Sequence, residues 1–142
     1  MKAWLFLSSI VLAGAVPAAE DTRQLAPLSA EAAATLRADM RANLLAINGI
    51  LDLVAAGKLK EAGELAEKEL GFAAMGKHRT LPFDARPGPQ MPPEMHRIGI
   101  EGHQAANDFA RIAATGDRER TIAALPSLTA PCVACHYAYR LR

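Results

Sequence analysis

Apolar residues recur at intervals of three and four over most of the chain, and no alternation of period two persists. The first such stretch follows Ser29, a good N-cap residue, with Glu31 favourably placed in the opening turn. Its apolar positions are Leu36, Met40, Leu44, Ile47, Leu51 and Val54, and Gly57 is placed to close it as a C′ residue. A second stretch is predicted over 58–75, with Leu59, Ala62, Leu65, Ala66 and Ala73 inward and a Glu64–Lys68 pair outside. The segment 76–93 holds Pro82, Pro87, Pro89, Pro92 and Pro93 and reads as a loop, long enough to cover a bound group or to join two halves of a bundle. A third helix is predicted from Pro93, with Met95, Ile98, Gly102, Ala105, Phe109 and Ile112 on one face, ending at Thr115-Gly116. Asp117 caps a fourth, which runs to about Arg140 and carries Pro126 and Pro131, so a kink or break is expected near Pro126. Two helix pairs with short internal turns and one long connection predict an all-α fold, an antiparallel four-helix bundle of up-down-up-down order.

The N-terminus has a different pattern. Lys2 precedes an apolar run from Ala3 to Val16, followed by Pro17-Ala18-Ala19. A basic start, a short apolar stretch and a small-residue exit have the form of a secretory signal peptide over 1–19. The run is shorter than the about 20 residues a membrane span requires. Cleavage would leave a single domain, 20–142, outside the cytoplasm, in a bacterial periplasm, without a stable membrane span.

Composition narrows the function. Of 142 residues, 30 are alanine and 5% are aromatic, so the helices have little bulky material with which to build a core. Loss of Lys2 leaves 15 basic against 15 acidic residues, a balance that excludes a strongly basic nucleic-acid binder. No phosphate-cradling glycine loop and no spaced carboxylate pair or nucleophile triad points to an enzyme. The mature chain must build its core from Leu, Ile, Ala and Met, or borrow apolar volume from a cofactor.

Both cysteines lie in Cys132-Val133-Ala134-Cys135-His136. Cys-x-x-Cys-His is the attachment signature of haem c. Each thiol adds across one vinyl group of the porphyrin, so that two thioethers form on one side of a helix. The adjacent imidazole is then carried under the ring as an axial ligand to iron. Attachment of this kind follows export, in keeping with the leader. A haem-free helical module, with the Cys-x-x-Cys as a disulfide or a metal clip, is the reading from another class; a disulfide there would close a very small loop and contribute little.

The run from Cys132 to Arg140, at the C-terminus of a four-helix pattern, resembles the class II c-type cytochromes, the cytochrome c′ group. Class I cytochromes c carry the motif near the N-terminus. The resemblance covers the whole mature chain as a helix plan and is residue-specific over about the last ten positions. It implies one covalent haem c held through Cys132 and Cys135 with His136 on the iron, and homodimers are frequent in the group. It also implies Arg140 near the haem, and a first-helix methionine as second ligand in the low-spin branch.

For that ligand the residues themselves offer Met40, Met75, Met91, Met95, His78, His96 and His103. At about 100° per residue, Met40 lies within roughly 10° of the centre of its helix's apolar stripe, whereas His96 and His103 lie more than about 120° from theirs. Met40 is therefore the expected sulfur ligand, and the two histidines are expected on the surface. Arg37 and Arg41 flank Met40 as candidate donors to the haem carboxylates, and Arg140, four residues after His136, is expected on the same helical face. These assignments describe a single-electron carrier with His136 and Met40 on iron, serving a redox partner the sequence does not name. The alternative is a five-coordinate haem protein that binds nitric oxide or carbon monoxide, with Leu36 or Leu44 lining the open iron face.

Overall fold

The computed structural model describes residues 20–142, so the expected leader over 1–19 lies outside the described residues. Among the described residues the protein is all-α, with four α-helices: α1 (Ala30–Ala55), α2 (Leu59–Leu70), α3 (Pro93–Ala113) and α4 (Arg118–Ala138). Their ends follow local chemistry. Ser29 Oγ accepts from the Ala32 amide at 3.1 Å, and Asp117 accepts from the Arg120 amide at 3.0 Å, each satisfying an orphan donor of a first turn. Gly57 and Gly116, both at positive φ, follow the C-caps of α1 and α3, a backbone conformation that costs glycine least.

Two expectations about the helices need correction. The second ends at Leu70 rather than near Met75, because Gly71 turns extended there and Phe72–Ala74 forms a separate 3-10 turn. Ala73 is consequently exposed, and Lys68 pairs with Glu69 at 3.0 Å instead of with Glu64, which faces Lys60. The fourth helix runs unbroken through Pro126 and Pro131. Those prolines free the carbonyls of Ile122 and Ser127, both on exposed residues where water can satisfy them.

Packing is sequential: α1 lies on α2, α2 on α3 and α3 on α4, while α1 and α4 barely touch. One apolar cluster gathers Ile50, Val54, Leu59, Ala66, Phe109 and Leu128. Phe109 and Ile50 are its largest fully enclosed apolar side chains, so much of this interior is alanine. Small residues let α2 and α3 come close. A Cβ on Gly63 would stand 3.0 Å from the Ala110 carbonyl oxygen and 3.2 Å from the Ala113 Cβ.

A second cluster, of Ala26, Leu36, Met95, Ile98 and Tyr139, is closed by the two chain ends. There Gln24–Leu25 (β1) pairs in parallel with Tyr139–Arg140 (β2), with Gln24 opposite Tyr139 and Leu25 opposite Arg140. The alternation test could not anticipate this two-residue ladder, which has no period to detect. Asp21 stands between Arg23 at 2.8 Å and Arg140 at 3.8 Å, and the Arg23 guanidinium holds its carboxyl down at about 2. That pKa is depressed, so the charged clasp is intact above the ordinary carboxylate range and is lost only as pH falls toward about 2.

The close approach at Gly63 gives a direct check on the α2–α3 contact. Gly63→Val should destabilise the protein by about 1–3 kcal/mol through overpacking, read from urea denaturation followed by far-UV dichroism.

Candidate functional site

α4 presents Leu125, Thr129, Cys132 and His136 within about 60° of one another around its axis, and α1 presents Met40, Leu44, Ile47 and Leu51 within a similar arc. The two stripes face a common gap. At one end, Ile47, Ile50 and Leu51 line a cleft of about 380 Å³ together with Leu125, Leu128 and Thr129. At the other, Met40 and Cys135 pack against the same cluster of Leu36, Met95, Ile98 and Tyr139. Residue numbers therefore run in opposite senses along the two helices. Two polar ties agree: Arg118 Nη1 donates to the Val54 carbonyl at 3.0 Å, and Arg37 reaches the carbonyl of Arg142.

The gap is poorly filled. Leu44, one turn from both Met40 and Ile47, is 71% exposed, and Leu51 is also exposed. On α4, Val133 and Tyr137 lie open at 66% and 86%, whereas Tyr139 is buried. Both thiols are free, Cys132 exposed and Cys135 half-buried, and His136 is exposed beside them. Partial burial of the sulfurs pushes both thiols above their ordinary pKa, Cys135 further assisted by the charge of Cys132. They also sit in the last two turns of α4, where the helix dipole disfavours an anion. A nucleophilic Cys-x-x-Cys has the opposite setting, at a helix start with a depressed pKa.

The arginines depart from expectation. α4 ends at Ala138, so Arg140 belongs to β2 and does not share a helical face with His136. Its Nε instead donates to the Arg23 carbonyl at 3.3 Å and faces Asp21. Arg37 is engaged with the Arg142 carbonyl. Arg41 is exposed and has no ion-pair or hydrogen-bond partner among the described residues. Arg23, which periodicity gave no reason to single out, donates to the carbonyl of His136 at 3.4 Å.

The other candidate ligands surround a different space. A cavity of about 370 Å³ lies between α1, α3 and the loop after α2. Met40, Met75, Met91, His78, His96 and His103 are in its wall, whereas Cys132, Cys135 and His136 are not. His96 is exposed as expected, but His103 is half-buried and its Nδ1 lies 2.7 Å from the Leu70 carbonyl. The early end of α2 explains the difference, since it leaves that carbonyl free to accept from α3. His78 is tied to Asp39 of α1 at 2.9 Å. Met95 is buried in the cluster below Cys135. Among the described residues no group of three or more His, Cys, Asp or Glu side chains is gathered as a metal site.

Searches against protein-family models, curated proteins and solved structures find no match to the chain.

The thiol environment makes a chemical prediction. In polypeptide produced without any modification of the cysteines, iodoacetamide should alkylate both more slowly near pH 8 than it does free cysteine, with Cys135 slower than Cys132. Unfolding in urea should abolish the difference, as followed by mass spectrometry of tryptic peptides.

Proposed function

We propose that the protein is an exported monohaem c-type cytochrome that carries single electrons, with haem c attached through Cys132 and Cys135 and iron held between His136 and Met40. The carrying observation is the facing pair of stripes. Ile47 and Leu51 meet Leu125 and Thr129 across one cleft. Continued one to two turns further by the same helical repeat, the stripes would set Leu44 and Met40 opposite Cys132 and His136. This is the arrangement expected where an up-down-up-down bundle opens between its first and last helices to take a flat apolar group.

The fit extends to surface chemistry. Leu44 and Leu51 are apolar side chains left exposed along the gap, and a porphyrin would cover them. The two sulfurs, three residues apart on a helix, reach one edge of such a ring, and their raised pKa does not impede addition once the attachment machinery delivers the haem. Bound there, the group supplies a one-electron iron couple. Met40 would supply it a soft thioether and His136 an imidazole, a pair that would favour the reduced state. Arg23, at the His136 carbonyl, and the β1–β2 ladder hold the segment after the motif against the N-terminal strand. That brace would help to keep His136 in place. The leader over 1–19 belongs to this proposal as the export signal that takes the chain to the periplasm, where attachment occurs.

One feature favours the gas-binding alternative: Leu44, apolar and exposed, lies a single turn from Met40 on the same stripe and would leave an open iron face if it stood opposite His136 in its place. A disulfide or metal-clip module has less support. The cysteines lie at the wrong end of a helix for thiol exchange.

The experiment begins with the product exported from a bacterium able to mature c-type cytochromes. It should be coloured, keep its haem stain through denaturing electrophoresis, and weigh one haem more than the processed chain. The ferrous spectrum should be low-spin and indifferent to carbon monoxide, and Met40→Ala should convert it to a high-spin form that binds carbon monoxide. A colourless product at polypeptide mass would refute the haem, and a spectrum unmoved by Met40→Ala would remove Met40 as a ligand.

A further inference from the structure

Among the described residues Arg86 is a cation without a carboxylate. Its Nε is buried and has no hydrogen-bond partner among them, and its guanidinium carbon stands 5.7 Å from the centre of the Phe83 ring. A guanidinium N–H withdrawn from water and left unpaired is costly, so a native position of this kind calls for an acceptor. The acids bordering the same cavity are already engaged. Asp39 accepts from Lys77 at 2.8 Å and lies 2.9 Å from His78, and Glu69 pairs with Lys68 at 3.0 Å.

The segment that carries Arg86 is fixed in place. Gln90 Nε2 donates to the carbonyls of Phe83, Asp84 and Arg86 at 3.1–3.2 Å, and its Oε1 accepts from the Ser29 amide at 2.8 Å. Ser29 Oγ donates to the Asp84 carbonyl at 2.5 Å. One glutamine thus folds the turn before Pro87 and bolts it to the N-cap of α1. Met40, one wall of the Arg86 cavity, is also packed on the cluster that holds Cys135. Met40 is thus a side chain shared between the Arg86 cavity and the cluster that holds Cys135.

We infer that Arg86, held by the Gln90–Ser29 brace, is the residue that binds a carboxylate of the attached haem, in the place the sequence alone gave to Arg37 and Arg140. This rests on the haem reading above. It assigns the proline-rich loop a task, the presentation of a half-buried guanidinium to the polar edge of an otherwise apolar group. Arg79, also in the cavity wall and without an ion pair among the described residues, adds to the positive field there.

The test uses the haem-loaded, exported protein and measures covalent haem content and reduction potential as a function of pH. Loss of a cation beside a carboxyl group raises that group's pKa. Arg86→Gln should therefore retain its haem stain but move the pH midpoint of the potential upward by about one unit or more, a tenfold change in acidity. Arg86→Lys, which keeps the charge, should move it less. An Arg86→Gln profile superimposable on the wild type would overturn the assignment. A second measurement needs no variant: in ¹⁵N-labelled wild-type protein the Arg86 Nε–H resonance should shift strongly between ferric and ferrous states, and a resonance indifferent to oxidation state would likewise overturn it. Absence of covalent haem from the wild type would refute the cytochrome reading itself, whereas haem present with both Arg86 readouts unmoved would refute only the inference about Arg86.

Discussion

The structure depends on how an alanine-rich chain encloses volume. Alanine gives helices a strong intrinsic preference but little side chain to bury, and each square ångström removed from water is worth only roughly 25 cal/mol. Where two backbones can come close, as at Gly63 against Ala110 and Ala113, the shortage does no harm. Where they cannot, a gap remains. α1 and α4 are the pair that leaves one, and both cysteines lie on a helix bordering it. The poor fit between these two helices and the presence of the only thiols in the chain are thus connected: the interior that the side chains leave unfilled is next to the residues able to attach something that would fill it.

The two chain ends reinforce the same region. Ala26 and Leu28 close over the cluster that holds Met40 and Cys135, and the β1–β2 ladder fixes the last residues of the chain beside the first described ones. Asp21, Arg23 and Arg140 form a small exposed network around it. Such exposed pairs contribute little to stability individually. Their effect here is geometric: Arg23 reaches the carbonyl of His136, the last residue of the Cys-x-x-Cys-His motif. Residues just beyond the expected leader are in this way part of the site's frame.

Most helix limits were legible because they are set by neighbours in sequence. Ser29, Gly57, Gly116 and Asp117 act on the nearest turn, and each does in the fold what its chemistry predicts. The errors arose where distant residues decide. α2 stops at Leu70 because the chain turns at Gly71, whose missing side chain leaves room for Asn107 of α3, and the Phe72 amide then donates to that asparagine at 2.8 Å. Nothing within 58–75 announces a partner 35 positions away. α4 continues through two prolines, and the carbonyls they free belong to exposed residues, a fact of tertiary placement. Arg140 was assigned to a helical face by counting four from His136, but the helix had ended two residues earlier in favour of a ladder with β1. For the site, the motif is contiguous and can be read directly, whereas the expected stripe of α1 holds only in part: Leu36 and Val54 are buried, Met40 and Ile47 half-buried, and Leu44 and Leu51 exposed. Arg86 has no such signal, because its distinction is a buried Nε without a partner among the described residues, which only the folded loop reveals.

The loop after α2 shows how such a position can persist. Its prolines restrict the backbone before folding, which lowers the entropy lost when the turn forms. Gln90 then satisfies three loop carbonyls and, through Ser29, ties them to the start of α1. A segment held that firmly can keep the Arg86 Nε out of water at a cost that a flexible loop would relieve by swinging the side chain outward. Rigidity in the loop and an unpaired cation at its centre are therefore not independent observations. The same serine that caps α1, the helix carrying Met40, also bonds the carbonyl of Asp84. A shift of the loop would consequently be felt at the first turn of α1, and the wall of the Arg86 cavity and the stripe facing α4 are held in one frame.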